Sequence, residues 1–310
     1  MIINSNAINF EQYLEDLSFE EAPSLKAANE FAEEVAEFAD TGDQMIGPAL
    51  PWTKTHGFTR LGEGKLSIWA GANGSGKSLL LGQVITSFVT KGDQKAAIAS
   101  LEMQPKQTLY RMICQSATCK ASRDYSLRWL NKLTSQLWIY DQLDTVSVNR
   151  ILGMAHYAAH ELKVDHLVID SLTKCGVGRD YEKQAAFVDR LQWCAKTWGI
   201  HIHLVCHMRK SDTSAHKEGK NDIRGAAEIT DLADNVFILR RNKVKEKAVE
   251  LMNMGKEFDQ DKIDHPCAIL AIEKNRDYGH ETEFGLWHDR VSGHFRSSDG
   301  DRLMPLDVLR

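Results

Sequence analysis

Short aliphatic runs alternate with longer amphipathic stretches from residue 65 onward. The runs KLSIWA, KAAIAS, LWIYD, HLVID, HIHLVCH and VFILRR are typical of buried strands, and the stretches between them, such as VNRILGMAHYAAHEL, have the apolar spacing of helices. Strands that alternate with helices predict right-handed crossovers and a mainly parallel sheet in an α/β fold. The later runs PCAILAIEKNR, ETEFGLWHD and GHFRS predict extra antiparallel strands at one edge.

The chain before this region carries one helical pattern, SLKAANEFAEEVAEFADTG. Phe31, Val35 and Phe38 fall on one face of the predicted helix, Ser24 is a candidate N-cap, and Gly42 is a candidate end. The apolar stripe needs a surface to pack on. That surface is either its own domain or a neighbouring subunit on which a linker helix docks, and the pattern leaves both open.

Domain limits follow from the breaks in these patterns. GPALPW at 47–52 interrupts the helical spacing, so we predict an N-terminal arm over 1–54 and an α/β domain over 55–310. Residues 243–264 are charged and show no clear period, which we interpret as an insertion.

Charge is distributed unevenly along the chain. The net charge is −5, but residues 1–50 carry eleven acidic side chains and one lysine, so the remaining 260 residues have a net charge of +5. An acidic arm on a mildly basic core is compatible with a DNA-binding channel. The six cysteines show no metal-ligand spacing, and no signal peptide or membrane-spanning run is evident, so we expect a cytoplasmic protein with reduced thiols and no membrane partner.

The octapeptide GANGSGKS supplies the clearest chemical signal. It matches G-x-x-x-x-G-K-[ST] between a predicted strand and a predicted helix, the setting in which backbone N–H groups surround phosphate oxygens. Lys77 is expected at the β- and γ-phosphates, and Ser78 at a Mg²⁺ ion. The predicted nucleotide-binding residues are Gly71, Ala72, Asn73, Gly74, Ser75, Gly76, Lys77 and Ser78.

Two carboxylates end neighbouring predicted strands. Asp170 closes HLVID and is the candidate second contributor to the Mg²⁺ site. Glu102 follows the strand after the phosphate-loop helix, where a carboxylate would activate the attacking water as a general base. The alternative for Glu102 is a purely structural one, an acid that favours the start of the next helix.

Five segments occur in the order found in one helicase family. SLEM, HLVIDSL, HIHLVCHMRK, DIRGAAEITDLADNVFILRR and EKNRDYGHETEFGL make the chain resemble the motor domain of ring-shaped DnaB-like replicative helicases, including phage helicase–primases and the mitochondrial helicase Twinkle. The resemblance covers most of residues 55–297 and implies a RecA-like P-loop NTPase fold. The chain departs from it in having no primase-like N-terminal domain and in the length of residues 243–264.

The resemblance implies roles for four further positions. Glu102 stands where the family has its catalytic carboxylate, and His207 stands at the polar sensor of the γ-phosphate, although a core histidine is the alternative. Arg276 matches an arginine finger and Lys274 its companion lysine, which reach the ATP of a neighbouring subunit. An edge-strand salt bridge is the alternative for Arg276. His201 and His203 are interpreted as core residues.

A basic, glycine-containing loop over 209–224 matches the family's DNA loop. Its bases and small polar residues suit sequence-independent phosphate contact with a single strand. The resemblance singles out Lys210, Lys217, Arg224 and Gly225 for DNA binding, although a charged loop is more often only solvated. Residues 175–183 form a weaker second candidate.

The combined interpretation is an ATP-dependent DNA helicase that works as a hexameric ring. The resemblance implies ATP and Mg²⁺ as cofactors, single-stranded DNA as partner, translocation from 5′ to 3′, and a primase, polymerase or loader as a further partner. Two alternatives stay open: a RecA/RadA- or KaiC-type ATPase that forms filaments or switches without unwinding, and an ATP-binding assembly or loading module with little hydrolysis.

Overall fold

The computed structural model describes residues 2–3, 8–10, 12–15, 26–41, 45–91, 93–209, 219–225 and 227–301. The strands in these ranges are β1 (Ile2–Ile3), β2 (Leu66–Ala70), β3 (Ala96–Ser100), β4 (Leu137–Tyr140), β5 (His166–Asp170), β6 (His201–Val205), β7 (Asn235–Arg241), β8 (Ala268–Asn275), β9 (Thr282–His288) and β10 (Phe295–Arg296). The helices are α1 (Gln12–Glu15), α2 (Ala32–Thr41), α3 (Lys77–Lys91), α4 (Pro105–Ala117), α5 (Arg123–Lys132), α6 (Val148–His160), α7 (Tyr181–Trp198), α8 (Ala227–Leu232), α9 (Lys243–Asn253) and α10 (Gln260–Asp264).

The described strands form one sheet in the order β1-β4-β3-β5-β6-β2-β7-β8-β9-β10. Pairing is parallel from β1 through β7 and antiparallel from β7 to β10. The predicted α/β class, with its mainly parallel sheet and antiparallel edge, is therefore confirmed. The parallel order places the carboxyl ends of β2, β3, β5 and β6 side by side at one edge, which is where ligands bind in such sheets.

Helices cover both faces of the sheet. One hydrophobic cluster joins β2 residues such as Ile68 to α6, α7 and α8, and the other joins Trp69 to α3, α4 and α5. Successive residues of a strand point to opposite faces, so a strand that is buried on both sides must be apolar at every position. This explains why LSIWA, AAIAS and HLVID read as continuous apolar runs rather than alternating ones.

The beginning of the predicted arm packs on the α/β domain. Ile2 pairs with Ile139 in the edge contact between β1 and β4. Phe10 is 2% exposed and meets Tyr140 and Tyr157 edge-to-face, with ring centroids 5.7 and 5.8 Å apart. Aromatic pairs in this arrangement stabilise beyond the area that they bury. Part of the 1–54 segment is thus continuous with the domain, and the boundary at 54 stays a prediction.

The predicted linker helix forms a 3-10 turn at Ala28–Phe31 followed by α2. Its apolar stripe lies on the surface, because Phe31, Val35 and Phe38 are 40%, 63% and 66% exposed. The candidate caps Ser24 and Gly42 lie outside the described residues.

Residues 243–264 contain two helices, although their sequence shows no obvious period. α9 begins after Asn242, whose side-chain oxygen accepts a hydrogen bond from the Lys245 N–H at 3.1 Å. Val244, Ala248 and Leu251 follow the i, i+4, i+7 spacing, and Ala248 is buried. The interspersed charges had hidden this short helical pattern. None of the helices in the described ranges is long and apolar enough to cross a bilayer.

Candidate active site

The phosphate loop connects the end of β2 to the first residue of α3, Lys77. A side chain at Gly71 would place its Cβ 2.4 Å from the carbonyl oxygen of Leu239, so the close approach of β7 requires glycine there. Gly74 has a φ of +74°, a conformation that glycine adopts without steric cost. The loop therefore delivers its backbone N–H groups to the positive end of a 15-residue helix, an arrangement that binds phosphate.

Lys77 lies within this loop and is 7% exposed. Its ammonium group donates hydrogen bonds to the carbonyl oxygens of Gly71 and Ala72 at 2.8 and 3.0 Å. These contacts hold the ammonium group against the first two residues of the loop.

Ser78 and Asp170 form the candidate metal site. The Ser78 hydroxyl hydrogen-bonds to the Asp170 carboxyl group, and the burial of Asp170 raises its pKa above the usual range. A hydroxyl and a buried carboxylate are hard oxygen ligands of the kind that Mg²⁺ takes together with water and phosphate oxygens. A cation here would also favour the ionised form of Asp170. The residues present therefore fit Mg²⁺.

Glu102 follows β3 and faces three hydrogen-bond donors. Its Oε1 lies 2.5 Å from the Ser171 Oγ, 3.2 Å from the His207 Nε2 and 3.3 Å from the Thr173 Oγ1. The hydrogen bond from His207 is the largest influence and, together with the hydroxyl groups, lowers the pKa of Glu102 to about 2. The carboxylate is thus ionised throughout the neutral range and held at the cleft.

His207 is a cleft residue and not a core residue, unlike His201 and His203, which are fully buried as predicted. Because a carboxylate only accepts, His207 donates through its Nε2–H. The carbonyl oxygen of His207 accepts from the Arg224 N–H at 2.7 Å, and Met208 bridges Ile223 in an antiparallel pair. The residue at the sensor position is therefore tied to the C-terminal end of the predicted DNA loop.

Most of the predicted site residues line one cleft of about 1110 Å³. The lining includes Asn73, Gly74, Gly76, Lys77, Ser78, Glu102, Asp170, His207 and Arg224. Arg224 thus lies at the nucleotide cleft as well as at the end of the predicted DNA loop. Lys210 and Lys217 lie outside the described residues.

Gly225 has a packing role at the end of the loop, in addition to the DNA contact that the resemblance implies. Its φ is +145°, and a Cβ there would lie 2.5 Å from the Ile229 Cδ1. Its carbonyl oxygen accepts from the Arg209 Nη2 at 2.9 Å, which joins the two ends of the loop. The structure accounts for this glycine by close packing; its contact with DNA stays a prediction.

Lys274 and Arg276 lie away from the cleft of their own chain. Asn275 pairs with Asn235 at the start of β7, whereas Gly71 packs against Leu239, four residues further along that strand. At about 3.3 Å per residue this separates the two sites by roughly 13 Å along the strand direction alone. The two basic residues therefore lie at one end of the strands, and the phosphate loop lies at the other end.

Contacts within the chain hold both bases at that end of the strands. The Arg276 Nη1 lies 3.3 Å from the Asp234 Oδ1, and its Nη2 donates to the Asp231 carbonyl oxygen at 2.7 Å. Lys274 donates to the carbonyl oxygens of Thr230 and Asp231 at 2.9 and 2.8 Å. The salt bridge considered as an alternative is present, yet the Arg276 side chain is still 44% exposed.

A second recess of about 360 Å³ adjoins the phosphate loop and was missed from the sequence. Arg241, His288 and Arg290 line it, and it shares Gly74 and Leu79 with the main cleft. These side chains come from β7, from β9 and from the turn after β9. Because HDRVSGHF carries no recognisable motif, only the folded sheet shows that this turn lies beside the phosphate loop.

Comparisons with known proteins agree with this geometry. The model of the DnaB-like helicase C-terminal domain family matches residues 53–296. A solved DnaB-like replicative helicase, described with its interactions with primase, superimposes with a TM-score of 0.66 and 16% identity over 88% of this chain and 67% of that chain. A second solved structure, an ATPase domain, superimposes with a TM-score of 0.70 and 16% identity over 89% of this chain and the whole of that chain. At 16% identity, these two solved structures show that the fold is shared and nothing beyond the fold.

Proposed function

The chain belongs to the family of DnaB-like helicase C-terminal domains and is an ATP-hydrolysing helicase of the replicative type, and from that premise we propose that it works as a hexameric ring. In this proposal the ring encloses one DNA strand, moves along it from 5′ to 3′ and separates the duplex. The observation that carries the proposal is the placement of the phosphate loop and of Arg276 at opposite edges of one sheet.

This placement favours an active site shared between two subunits. A finger that lies across the sheet from its own phosphate loop can reach a γ-phosphate only in another copy of the chain. Copies joined head to tail then form a ring if the rotation between them closes. In such a ring every site combines the loop of one subunit with Lys274 and Arg276 of the next, and the guanidinium would stabilise charge that develops on the phosphoryl group.

The chemistry within one subunit follows from the cleft. The phosphate loop and Lys77 bind and orient the triphosphate, and Glu102 orients the attacking water and accepts its proton. Mg²⁺ held through Ser78 and Asp170 would neutralise charge on the phosphate oxygens. His207, which is within hydrogen-bond reach of Glu102, would respond to the γ-phosphate.

The nucleobase is proposed to lie in the recess beside the loop. The recess opens from the main cleft at Leu79, where a nucleotide whose phosphates follow the loop would extend. Arg241 and His288 present planar groups suited to contact with a base face.

Coupling to DNA would pass through the ends of the loop over 209–224. His207 and Arg224 are joined by a main-chain hydrogen bond, so a shift of the loop on DNA alters the position of the sensor. The exposed apolar stripe of the 3-10 turn and α2 supports docking of this segment on a neighbouring subunit, with Phe31 and Val35 in the contact. A primase, polymerase or loader remains a proposed further partner.

Subunit mixing tests the shared site. Glu102→Gln and Arg276→Ala are each expected to abolish hydrolysis in a uniform ring. Mixed in equal amounts, about a quarter of the interfaces would join an intact cleft to an intact finger, and hydrolysis should return to that extent. A mixture of Glu102→Gln with Lys77→Ala is the matched control, because both changes lie in the same half of the site and no interface is intact. If Arg276→Ala alone hydrolyses ATP at the rate of the unchanged ring, or if the control mixture recovers as well, the site is not shared.

The open alternatives give different results. A filament-forming RecA-type ATPase would show complementation and open filaments in micrographs, but no strand separation on forked substrates. A loading module would hydrolyse ATP slowly and be indifferent to Glu102→Gln. Closed rings that unwind forks with a 5′ tail, and not those with only a 3′ tail, would support the proposal as stated.

A further inference from the structure

Two hydroxyl groups converge on the oxygen through which Glu102 is held. Ser171 is fully buried, and its Oγ lies 2.5 Å from the Glu102 Oε1 and 2.7 Å from the Thr173 Oγ1. The Thr173 Oγ1 is 3.3 Å from the same carboxylate oxygen. Each hydroxyl has one proton to donate. The shorter contacts define a chain in which Thr173 donates to Ser171 and Ser171 donates to Glu102.

We propose that Ser171, supported by Thr173, is a positioning residue that fixes Glu102 for water activation. The inference rests on the proposed function, because it takes Glu102 to be the general base. The clamp, meaning the side chains of Ser171 and Thr173, binds Oε1 only. Oε2 makes no hydrogen bond to any part of the chain that the structure describes, so it is the oxygen that faces the reacting water.

The location of Ser171 couples the base to the rest of the site. It follows Asp170 directly, so the end of one strand supplies both the candidate metal ligand and the clamp. A buried hydroxyl orients the Glu102 carboxylate at little cost in free energy during the reaction, because the donor is already fixed. His207 contacts the same oxygen, so Glu102 is held both by a fixed donor and by a donor attached to the proposed DNA loop.

The clamp uses the hydroxyl group of Ser171, whereas the fold of the following turn depends on its backbone. The backbone of Ser171 holds the following turn, since its carbonyl oxygen accepts from the Lys174 N–H at 2.9 Å and from the Cys175 Sγ at 3.4 Å. Ser171→Ala keeps these contacts and removes only the hydroxyl. Ser171→Thr keeps the donor. Thr173 is exposed, so Thr173→Val tests the support without a change in the core.

The experiment measures ATP hydrolysis by the assembled protein with single-stranded DNA. Ser171→Ala is expected to lower kcat about tenfold, part of the effect of a positioned base, while KM and the affinity for a fluorescent ATP analogue stay within about twofold. Thr173→Val should show a smaller loss of the same kind, and Ser171→Thr should recover most of the activity. Ser87→Ala is the matched control, because it removes a buried serine hydroxyl from α3 outside the site.

The split between kcat and KM, together with rescue by the conservative variant, separates positioning from a structural effect. Ser171→Ala should lower kcat with KM unchanged, Ser171→Thr should restore kcat because it keeps the donor, and Ser87→Ala should change neither. An unchanged kcat in Ser171→Ala would overturn the inference. If Ser171→Ala does not fold, Thr173→Val decides, and an unchanged rate there overturns it.

A parallel variant distinguishes failure of the clamp from failure of the proposed function. If Glu102→Gln is inactive and Ser171→Ala is normal, only the clamp is wrong. If Glu102→Gln hydrolyses ATP normally, the assignment of the base is wrong and the clamp falls with it. In the Glu102→Gln background, Ser171→Ala should have no further effect on residual activity, because both changes act through one carboxylate.

Discussion

Acid should destabilise this protein through three buried histidines. The Trp69 indole N–H donates to the His203 Nδ1 at 3.2 Å, so the proton of His203 is on Nε2, from which it donates to the His166 Nδ1 at 3.1 Å. The His166 Nε2–H in turn donates to the Gln94 Oε1 at 3.1 Å. His201 stacks on His203 with ring centroids 4.4 Å apart. These hydrogen bonds fix the rings of His203 and His166 in their neutral forms.

The magnitude follows from linkage. Burial lowers the pKa of all three histidines, that of His201 to about 4 and those of His166 and His203 well below the usual range. Because the folded-state pKa is depressed, the stability is complete above about pH 6.5 and is lost as the pH falls toward the folded-state pKa. Protonation of one unfolded histidine at pH 5 is worth about 2 kcal/mol, so three are worth about 6 kcal/mol. Domains are typically stable by only about 5–15 kcal/mol.

Urea unfolding between pH 8 and pH 5, followed by tryptophan fluorescence, measures this loss. His201→Gln, which cannot take up the proton, should reduce the difference between pH 8 and pH 5 by about 2 kcal/mol, although it also lowers stability at pH 8. His265→Gln is the control, because His265 is exposed and its removal should leave the difference unchanged. A free energy of unfolding that changes by less than about 1 kcal/mol between pH 8 and pH 5 would refute the reasoning.

Three other substitutions have expected outcomes. Gly153→Ala places a Cβ 2.0 Å from the Phe10 carbonyl oxygen, so it should cost about 1–3 kcal/mol and expose residues 8–10 and 12–15 to hydrogen exchange. Gly225→Ala strains the backbone at the end of the proposed DNA loop and should reduce stimulation of ATP hydrolysis by DNA more than the basal rate, as steady-state assays would show. Asp234→Asn weakens the support of Arg276 and should lower kcat with little change in KM for ATP.

The sheet and the phosphate loop could be predicted because their signals are local. A strand buried on both faces must be apolar throughout, so LSIWA and HLVID can be recognised as strands from the sequence. The glycines and the lysine of GANGSGKS likewise indicate the geometry of a phosphate-binding loop. Asp170 and Glu102 could be placed at one edge because parallel strands bring their carboxyl ends together, and the cleft contains both.

The remaining features depend on contacts between distant segments. Phe10 packs on Tyr140 and Tyr157, which lie more than a hundred residues away in the sequence. The residues around Phe10 give no indication of this contact. The Ser171 hydroxyl is recognisable as a donor to Glu102 only after β3 and β5 are paired. The helix α9 was hidden because charges occupy the positions between Val244, Ala248 and Leu251.

One continuous segment links the nucleotide cleft to the opposite edge of the sheet. β6 leads to His207 at the cleft, the loop that we propose binds DNA begins at Arg209, and Arg224 at its far end donates a hydrogen bond to the carbonyl oxygen of the same histidine. Gly225 then leads into α8, whose last carbonyl oxygens hold Lys274 and Arg276. If the proposed assembly is correct, a displacement of the loop by DNA is expected to reach the proposed sensor, His207, of one site and the proposed finger, Arg276, of the next. In a ring, that connection would make the hydrolysis steps of neighbouring subunits depend on one another.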